Sequence, residues 1–135
     1  MIWAKYKKIF TKKKKIVLDT LIADTNKYYL NRLENIVELH PSLNLIFKSS
    51  EKKETIKNIF KLNPDLIIID DEIYKTADKN LFCNSKTKPS IIICSGTFYS
   101  ENNTRQNNYI FLKPILKEEI IEAVNKIIKK KSSNN

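Results

Sequence analysis

Two short runs, Leu66-Ile67-Ile68-Ile69 and Ile91-Ile92-Ile93, constrain the fold of this 135-residue chain more than any other feature. Each is apolar at every position, rich in β-branched residues, and too short to make a helix on its own. A strand sends successive side chains to opposite faces, so an unbroken apolar run demands burial on both sides. Five segments read as strands: VLDTLIA (17–23), LNLIFK (43–48), DLIIID (65–70), SIIICS (90–95) and YIFLK (109–113). Between them the apolar spacing changes to the helical period. Asn26 to Leu39 predicts a helix with Tyr29, Leu30, Leu33, Ile36 and Val37 along one stripe, ended by Pro41. Ser49 or Ser50 can cap a helix through about Leu62, with Ile56, Ile59 and Phe60 facing inward. Lys117 to Lys130 carries Ile120, Ile121, Val124, Ile127 and Ile128 at helical spacing. Strands alternating with helices imply right-handed crossovers and a doubly wound parallel sheet covered on both faces.

The length suits one domain with a real core. No apolar run exceeds four or five residues, so no segment is expected to span a membrane, and MIWAKYKKIF breaks its apolar residues with lysines, unlike a signal peptide. Cys83 and Cys94 lack metal-ligand spacing and read as reduced thiols, which points to the cytoplasm.

The formal charge of +10 invites a nucleic-acid reading, but its location argues against one. Residues 1–15 hold seven lysines and no acid, and residues 126–131 hold four more; removing those eleven from 25 leaves 14 basic residues against 15 acids. The part that builds the fold is thus near neutral, and only Arg32 and Arg105 are arginines, the usual base readers. Specific nucleic-acid binding is not expected. The basic extension 1–15 places Ile2, Trp3, Tyr6, Ile9 and Phe10 on one helical stripe. It is expected to pack on the domain or serve as a solubilising tail, the other reading being contact with a membrane surface or a partner. Residues 16–131 are expected to form the domain and 132–135 a disordered tail.

In an open parallel sheet the site lies beyond the carboxyl ends of the strands. Asp24, Asp70, Ser95 and Lys113 all fall at such ends. The stretch PDLIIIDDE (64–72) makes the point sharply, since a buried strand runs straight into Asp70, Asp71 and Glu72. The single glycine, Gly96, excludes a glycine-rich phosphate loop. His40 reads as a surface histidine and Cys94 as a small core residue.

These residues resemble the response-regulator receiver domain of two-component signalling, over about Val17 to Lys130. PDLIIID is similar to the family's third strand, which ends in the phosphoryl-accepting aspartate, here Asp70. FLKPI (111–115) is similar to its lysine and cis-linked proline, Lys113 and Pro114. IIICSG (91–96) is similar to the fourth strand and its switch hydroxyl, Ser95, and LIADTN (21–26) to the acidic first corner. The resemblance implies a flavodoxin-like five-stranded order 2-1-3-4-5. It implies Mg²⁺ held by Asp24, Asp70 and the backbone carbonyl of Glu72, with Lys113 and Ser95 orienting the phosphate. Partners would be a histidine kinase or phosphotransfer protein and a downstream protein. A bound cation and a lysine neutralise charge so that a carboxylate can attack a phosphoryl donor. The hydroxyl then follows the phosphate, and that small move biases a two-state surface.

Several positions depart from the pattern. The first corner reads Asp24-Thr25, with a neutral hydroxyl in the second acidic place, which weakens affinity for a hard cation; a shift of one would instead pair Ala23 with Asp24. Asp71 is an alternative acceptor register. Pro89 comes only nineteen residues after Asp70, and TFYSENNTRQNN (97–108) lacks helical periodicity, so the third and fourth helices are expected to be short or irregular. The switch aromatic belongs three residues before Lys113, at Ile110, with Tyr109 one place earlier and assigned the role. Two functions follow. One is a stand-alone response regulator, a phospho-acceptor rather than a dedicated enzyme; the other is a pseudo-receiver that acts as a phosphorylation-independent interaction module.

Overall fold

The computed structural model describes residues 15–78, 80–83, 88–97 and 108–133, with Cys83 described by its backbone alone. The stripe in residues 1–14 and the expected fourth helix lie outside these residues. The elements run β1 (Leu18–Ala23), α1 (Lys27–Leu39), β2 (Leu43–Ser49), α2 (Lys52–Leu62), β3 (Leu66–Asp70), α3 (Asp71–Thr76), α4 (Asn80–Cys83), β4 (Ser90–Ser95), β5 (Asn108–Leu112) and α5 (Lys117–Ser133). All strand pairs are parallel, in the order β2-β1-β3-β4-β5. This is the doubly wound α/β architecture that the isoleucine runs require.

The pleat splits those runs between two cores. Leu66, Ile68, Ile92 and Cys94 face α1 and α5, meeting Leu33, Val37, Ile120, Val124 and Ile127. Ile67, Ile69, Ile91 and Ile93 face the other side with Ile59, Ile73, Tyr74 and Phe82. Leu66 to Ile69 are all 0% exposed, so β3 is the buried spine.

Local chemistry sets the element ends. Asn26 caps α1 by accepting from the Tyr28 and Tyr29 amides, and α1 stops at His40, just before Pro41. The α2 cap position falls on Glu51, whose side chain makes no capping bond, rather than on Ser49 or Ser50. Ser49 Oγ instead accepts the Glu51 amide and donates to the Glu51 carbonyl, closing a local turn that delays the helix. Phe60, expected inside, is 77% exposed. Thr55 and Ile59 define the covered face of α2, and Phe60 turns about 100° away from Ile59 near the helix end, beyond what edge strand β2 can cover.

The third helix is short, as expected. Ala77 is extended, and the Thr76 hydroxyl bonds back to the Glu72 and Ile73 carbonyls, ending α3 after six residues. At the other end Ser132 and Ser133, assigned above to the disordered tail, continue α5. Their hydroxyls return to the carbonyls of Lys129 and Lys130, one turn back in the same helix.

Candidate functional site

The carboxyl ends of β1, β3, β4 and β5 bring four sequence-predicted residues to one edge of the sheet. Asp24 follows β1, Asp70 ends β3, Ser95 ends β4 and Lys113 follows β5. The Lys113 amide donates to the Ser95 carbonyl at 2.7 Å, which continues the β4–β5 ladder and fixes where the lysine begins. The Lys113–Pro114 peptide is cis.

The Lys113 ammonium, 13% exposed, is shared between two acids. It lies 3.0 Å from Asp24 Oδ2, 3.2 Å from Asp24 Oδ1 and 3.8 Å from Asp70 Oδ1, with the Tyr29 ring centroid 4.5 Å away. Burial alone pushes the ammonium down, but its hydrogen bond to Asp24 and the charges of Asp24 and Asp70 outweigh this and hold its pKa above the ordinary value.

The two acids are pushed apart. Asp24 is fully buried, and burial raises its pKa; the Asn26 amide and Lys113 pull only part of the shift back. Burial acts in the same direction on Asp70, but the Thr25 hydroxyl, the Glu72 amide and Lys113 outweigh it, leaving Asp70 below its ordinary value. Asp70, closed in at 2% exposure, is therefore held in its charged form more firmly than Asp24. Thr25 Oγ1 donates to its Oδ2 at 2.7 Å, and the Glu72 amide donates to its Oδ1 at 3.1 Å.

Thr25 rather than Asp24 faces Asp70 directly, while Ala23 is buried in the apolar core of the α2 and α3 side. Of the first-corner residues, Thr25 is thus the one on Asp70 and Asp24 the one on Lys113.

Two expected roles do not survive the geometry. The backbone carbonyl of Glu72, expected to bind metal, accepts the Thr76 hydroxyl at 3.0 Å. Because α3 begins at Asp71, that carbonyl runs along the helix axis towards its C-terminus, away from Asp70. Tyr109, assigned as the switch aromatic, packs towards α1 and α5. Ser95 follows Ile91 and Ile93 on the opposite face, where Ile110 also points. The two-residue period of the strand puts Tyr109 on the wrong side of the sheet.

Ser95 holds an unforeseen partner. Its Oγ lies 2.8 Å from Asp71 Oδ2 and 2.7 Å from the Thr97 carbonyl, and it accepts the Thr97 amide at 3.2 Å. With one hydrogen, it donates to either oxygen at a time. Asp71 is 7% exposed, and Lys75 Nζ sits 3.5 Å from the same Oδ2. The clue in the sequence was the second acid of PDLIIIDDE, in a place where the family commonly has an apolar residue.

The donors present do not fit a Mg²⁺ site. Among the described residues no three His, Cys, Asp or Glu side chains gather to hold a metal. Asp24 Oδ2, buried and without a hydrogen bond, already has the Lys113 ammonium against it. The neutral Thr25 hydroxyl is committed to Asp70, and the Glu72 carbonyl to its helix. Mg²⁺ keeps several of its own waters but still asks one or two carboxylates of the protein, and here Asp24 is held by Lys113 while Asp70 is held by Thr25 and the Glu72 amide.

No protein-family model matches the chain, and no curated protein matches it. Solved structures do match. The signal receiver domain of NarL from Mycobacterium tuberculosis is 14% identical with a TM-score of 0.65, covering 84% of this chain and 98% of that one. The isolated REC domain of RcsB from Salmonella enterica serovar Typhimurium, in the presence of the phosphomimetic BeF3-, is 18% identical with a TM-score of 0.65, over 84% and 89%. The response regulator domain of CheB from Thermotoga maritima is 17% identical with a TM-score of 0.60, over 84% and 97%. The chain has the fold of response-regulator receiver domains.

Proposed function

We propose that the chain is a pseudo-receiver, a signalling module of receiver fold that works by binding a protein partner without being phosphorylated. The observation that carries this reading is internal saturation of the pocket. Thr25 occupies Asp70, Asp71 occupies Ser95, Lys113 closes on Asp24, and the Glu72 carbonyl belongs to α3. Each group that would receive a metal or a phosphoryl oxygen already has a protein partner.

Electrostatics supports the same reading. Asp24, Asp70, Asp71 and Glu72 crowd one strand end, and the cations at hand are Lys113 and Lys75. A dianionic donor would meet net negative charge without a divalent cation to offset it, and like charges a few ångströms apart in a partly desolvated pocket repel by several kcal/mol, on the order of 4 at 4 Å. Among the described residues no helix is long and apolar enough to cross a membrane, and the cytoplasm is the compartment we propose. The partner is a downstream signalling protein, and specific nucleic acid is not among the ligands proposed.

The second reading keeps Asp70 as phospho-acceptor, with a histidine kinase or phosphotransfer protein as donor. It is favoured by the ionised Asp70 carboxylate beside Lys113. In that step an Asp70 oxygen attacks phosphorus as the P–N bond to the donor's phosphorylated histidine breaks, and the imidazole nitrogen that leaves takes up a proton.

The two readings separate by intact mass after incubation with Mg²⁺ and a small acyl phosphate. The pseudo-receiver gains no phosphoryl group. A single magnesium-dependent adduct, absent from Asp70→Asn, would sink the proposal and establish the second reading.

A further inference from the structure

The Asp71–Ser95 contact does more than end a strand. Ser95 is 0% exposed and Asp71 7%, so water competes little for the bond, which joins the last residue of β4 to the first of α3 beside the pocket. Ser95 Oγ also accepts the Thr97 amide and lies 2.7 Å from the Thr97 carbonyl, so Asp71 and that carbonyl share its one hydrogen while the amide bond ties it to the backbone that leaves β4. On the other side Lys75, one helical turn along α3, lies against the Asp71 oxygen that takes the hydrogen bond. Lys75, Asp71, Ser95 and Thr97 thus form a continuous path from α3 to the start of the segment after β4. Asp70, by contrast, spends its hydrogen bonds on Thr25 and Glu72.

We infer that Asp71 is the resident anion of this pocket, a positioning residue that holds Ser95, and through it the Thr97 backbone, in one state without any phosphoryl group. This rests on the pseudo-receiver reading for its meaning in signalling, since a module of this kind would present its surface constitutively. The sequence arrangement makes it possible. An acid directly after the strand-ending Asp70 starts α3, so its side chain is carried to the β4 side of the strand end, where Ser95 closes the neighbouring strand.

The test is a double-mutant cycle on the full chain with Asp71→Ala and Ser95→Ala, read by urea unfolding and by the Thr97 amide resonance. If the bond exists, the two substitutions are not additive. A hydroxyl bonded to a charged group gives a coupling of roughly tenfold in the unfolding constant. Each single variant moves the Thr97 amide in the same direction, and the double variant moves it no further. Ser95→Thr, which keeps the hydroxyl, restores the coupling with Asp71. Additivity within about twofold, or a Thr97 amide unmoved by Asp71→Ala, overturns the inference. Should Asp71→Ala fail to fold, Asp71→Leu, of similar size and without an acceptor, replaces it in the same cycle. The outcome is separable from that of the functional reading. A phosphoryl adduct on the wild-type chain overturns the pseudo-receiver, whereas the cycle, run on unphosphorylated protein, judges the latch by itself.

Discussion

Replacing Lys113 by methionine should be among the most damaging changes available near the pocket, and its effect should depend on pH in a specified direction. Lys113 is 13% exposed and is the cation 3.0 Å from Asp24, which is fully buried and whose Oδ2 has no hydrogen bond. Methionine keeps the length of the chain and its contact with Tyr29 but removes the charge. Breaking a buried ion pair by deleting one partner costs about 3–5 kcal/mol. The lower end applies, because Asp24 Oδ1 keeps the Asn26 amide at 2.8 Å and Asp70 keeps Thr25 and Glu72. For a domain of this size about 3 kcal/mol corresponds to a fall in Tm of about 10 °C. The pH dependence follows from Asp24, whose folded pKa is raised above 3.8 even with Lys113 present and rises further without it. A folded state that binds the proton more tightly than the unfolded chain gains stability as pH falls through the folded pKa. The gap between Lys113→Met and wild type should therefore narrow on acidification from neutral pH towards 3.8. Adding Asp24→Asn to Lys113→Met should recover most of the loss at pH 7. Thermal unfolding followed by circular dichroism over that range is sufficient. A variant within about 1 kcal/mol of wild type at neutral pH, or a gap that widens on acidification, would refute the electrostatic account.

Other consequences can be checked separately. Ile68→Ala removes a 0%-exposed side chain from the central strand and should cost about 2–5 kcal/mol in urea unfolding, while Phe60→Ala, at a 77%-exposed position, should stay within about 0.5 kcal/mol. Similar losses at both positions would contradict the assignment of faces. Millimolar Mg²⁺ should leave the wild-type Tm unchanged within about 1 °C, because a ligand stabilises only in proportion to its binding; a shift of several degrees would mean that donors other than those identified assemble. Burial pushes the Cys94 thiol up to about 12, so peptide mapping after maleimide treatment of the native protein should find Cys94 unmodified, with reaction appearing only on unfolding.

The fold was largely legible because it rests on periodicity, which survives in a linear string. Ile67–Ile69 and Ile91–Ile93 could be satisfied only between two covered faces, and the helical stripes at 26–39 and 117–130 supplied the covers. Asp24, Asp70, Ser95 and Lys113 could be placed at one edge because parallel strands end on the same side. Where the reading missed, the deciding factor was orientation within a few ångströms. Phe60 belongs to a plausible stripe, yet the covering sheet ends before it. Tyr109 is one residue from the position it was given, and one residue in a strand is the opposite face. Glu72 offers a carbonyl in any sequence, but a helix that starts at Asp71 turns that carbonyl along its axis.

By itself, then, the sequence determined the number and order of layers, the burial of β3 and β4, and the set of polar residues that meet at the strand ends. Those depend on which side chains prefer water and on the two- and 3.6-residue periods of the backbone. Which acid bonds which donor was decided only in three dimensions. Thr25 on Asp70, Asp71 on Ser95 and Lys113 on Asp24 join residues 45, 24 and 89 positions apart. No local pattern encodes such pairings, because hydrogen-bond geometry depends on distances the packed sheet alone establishes.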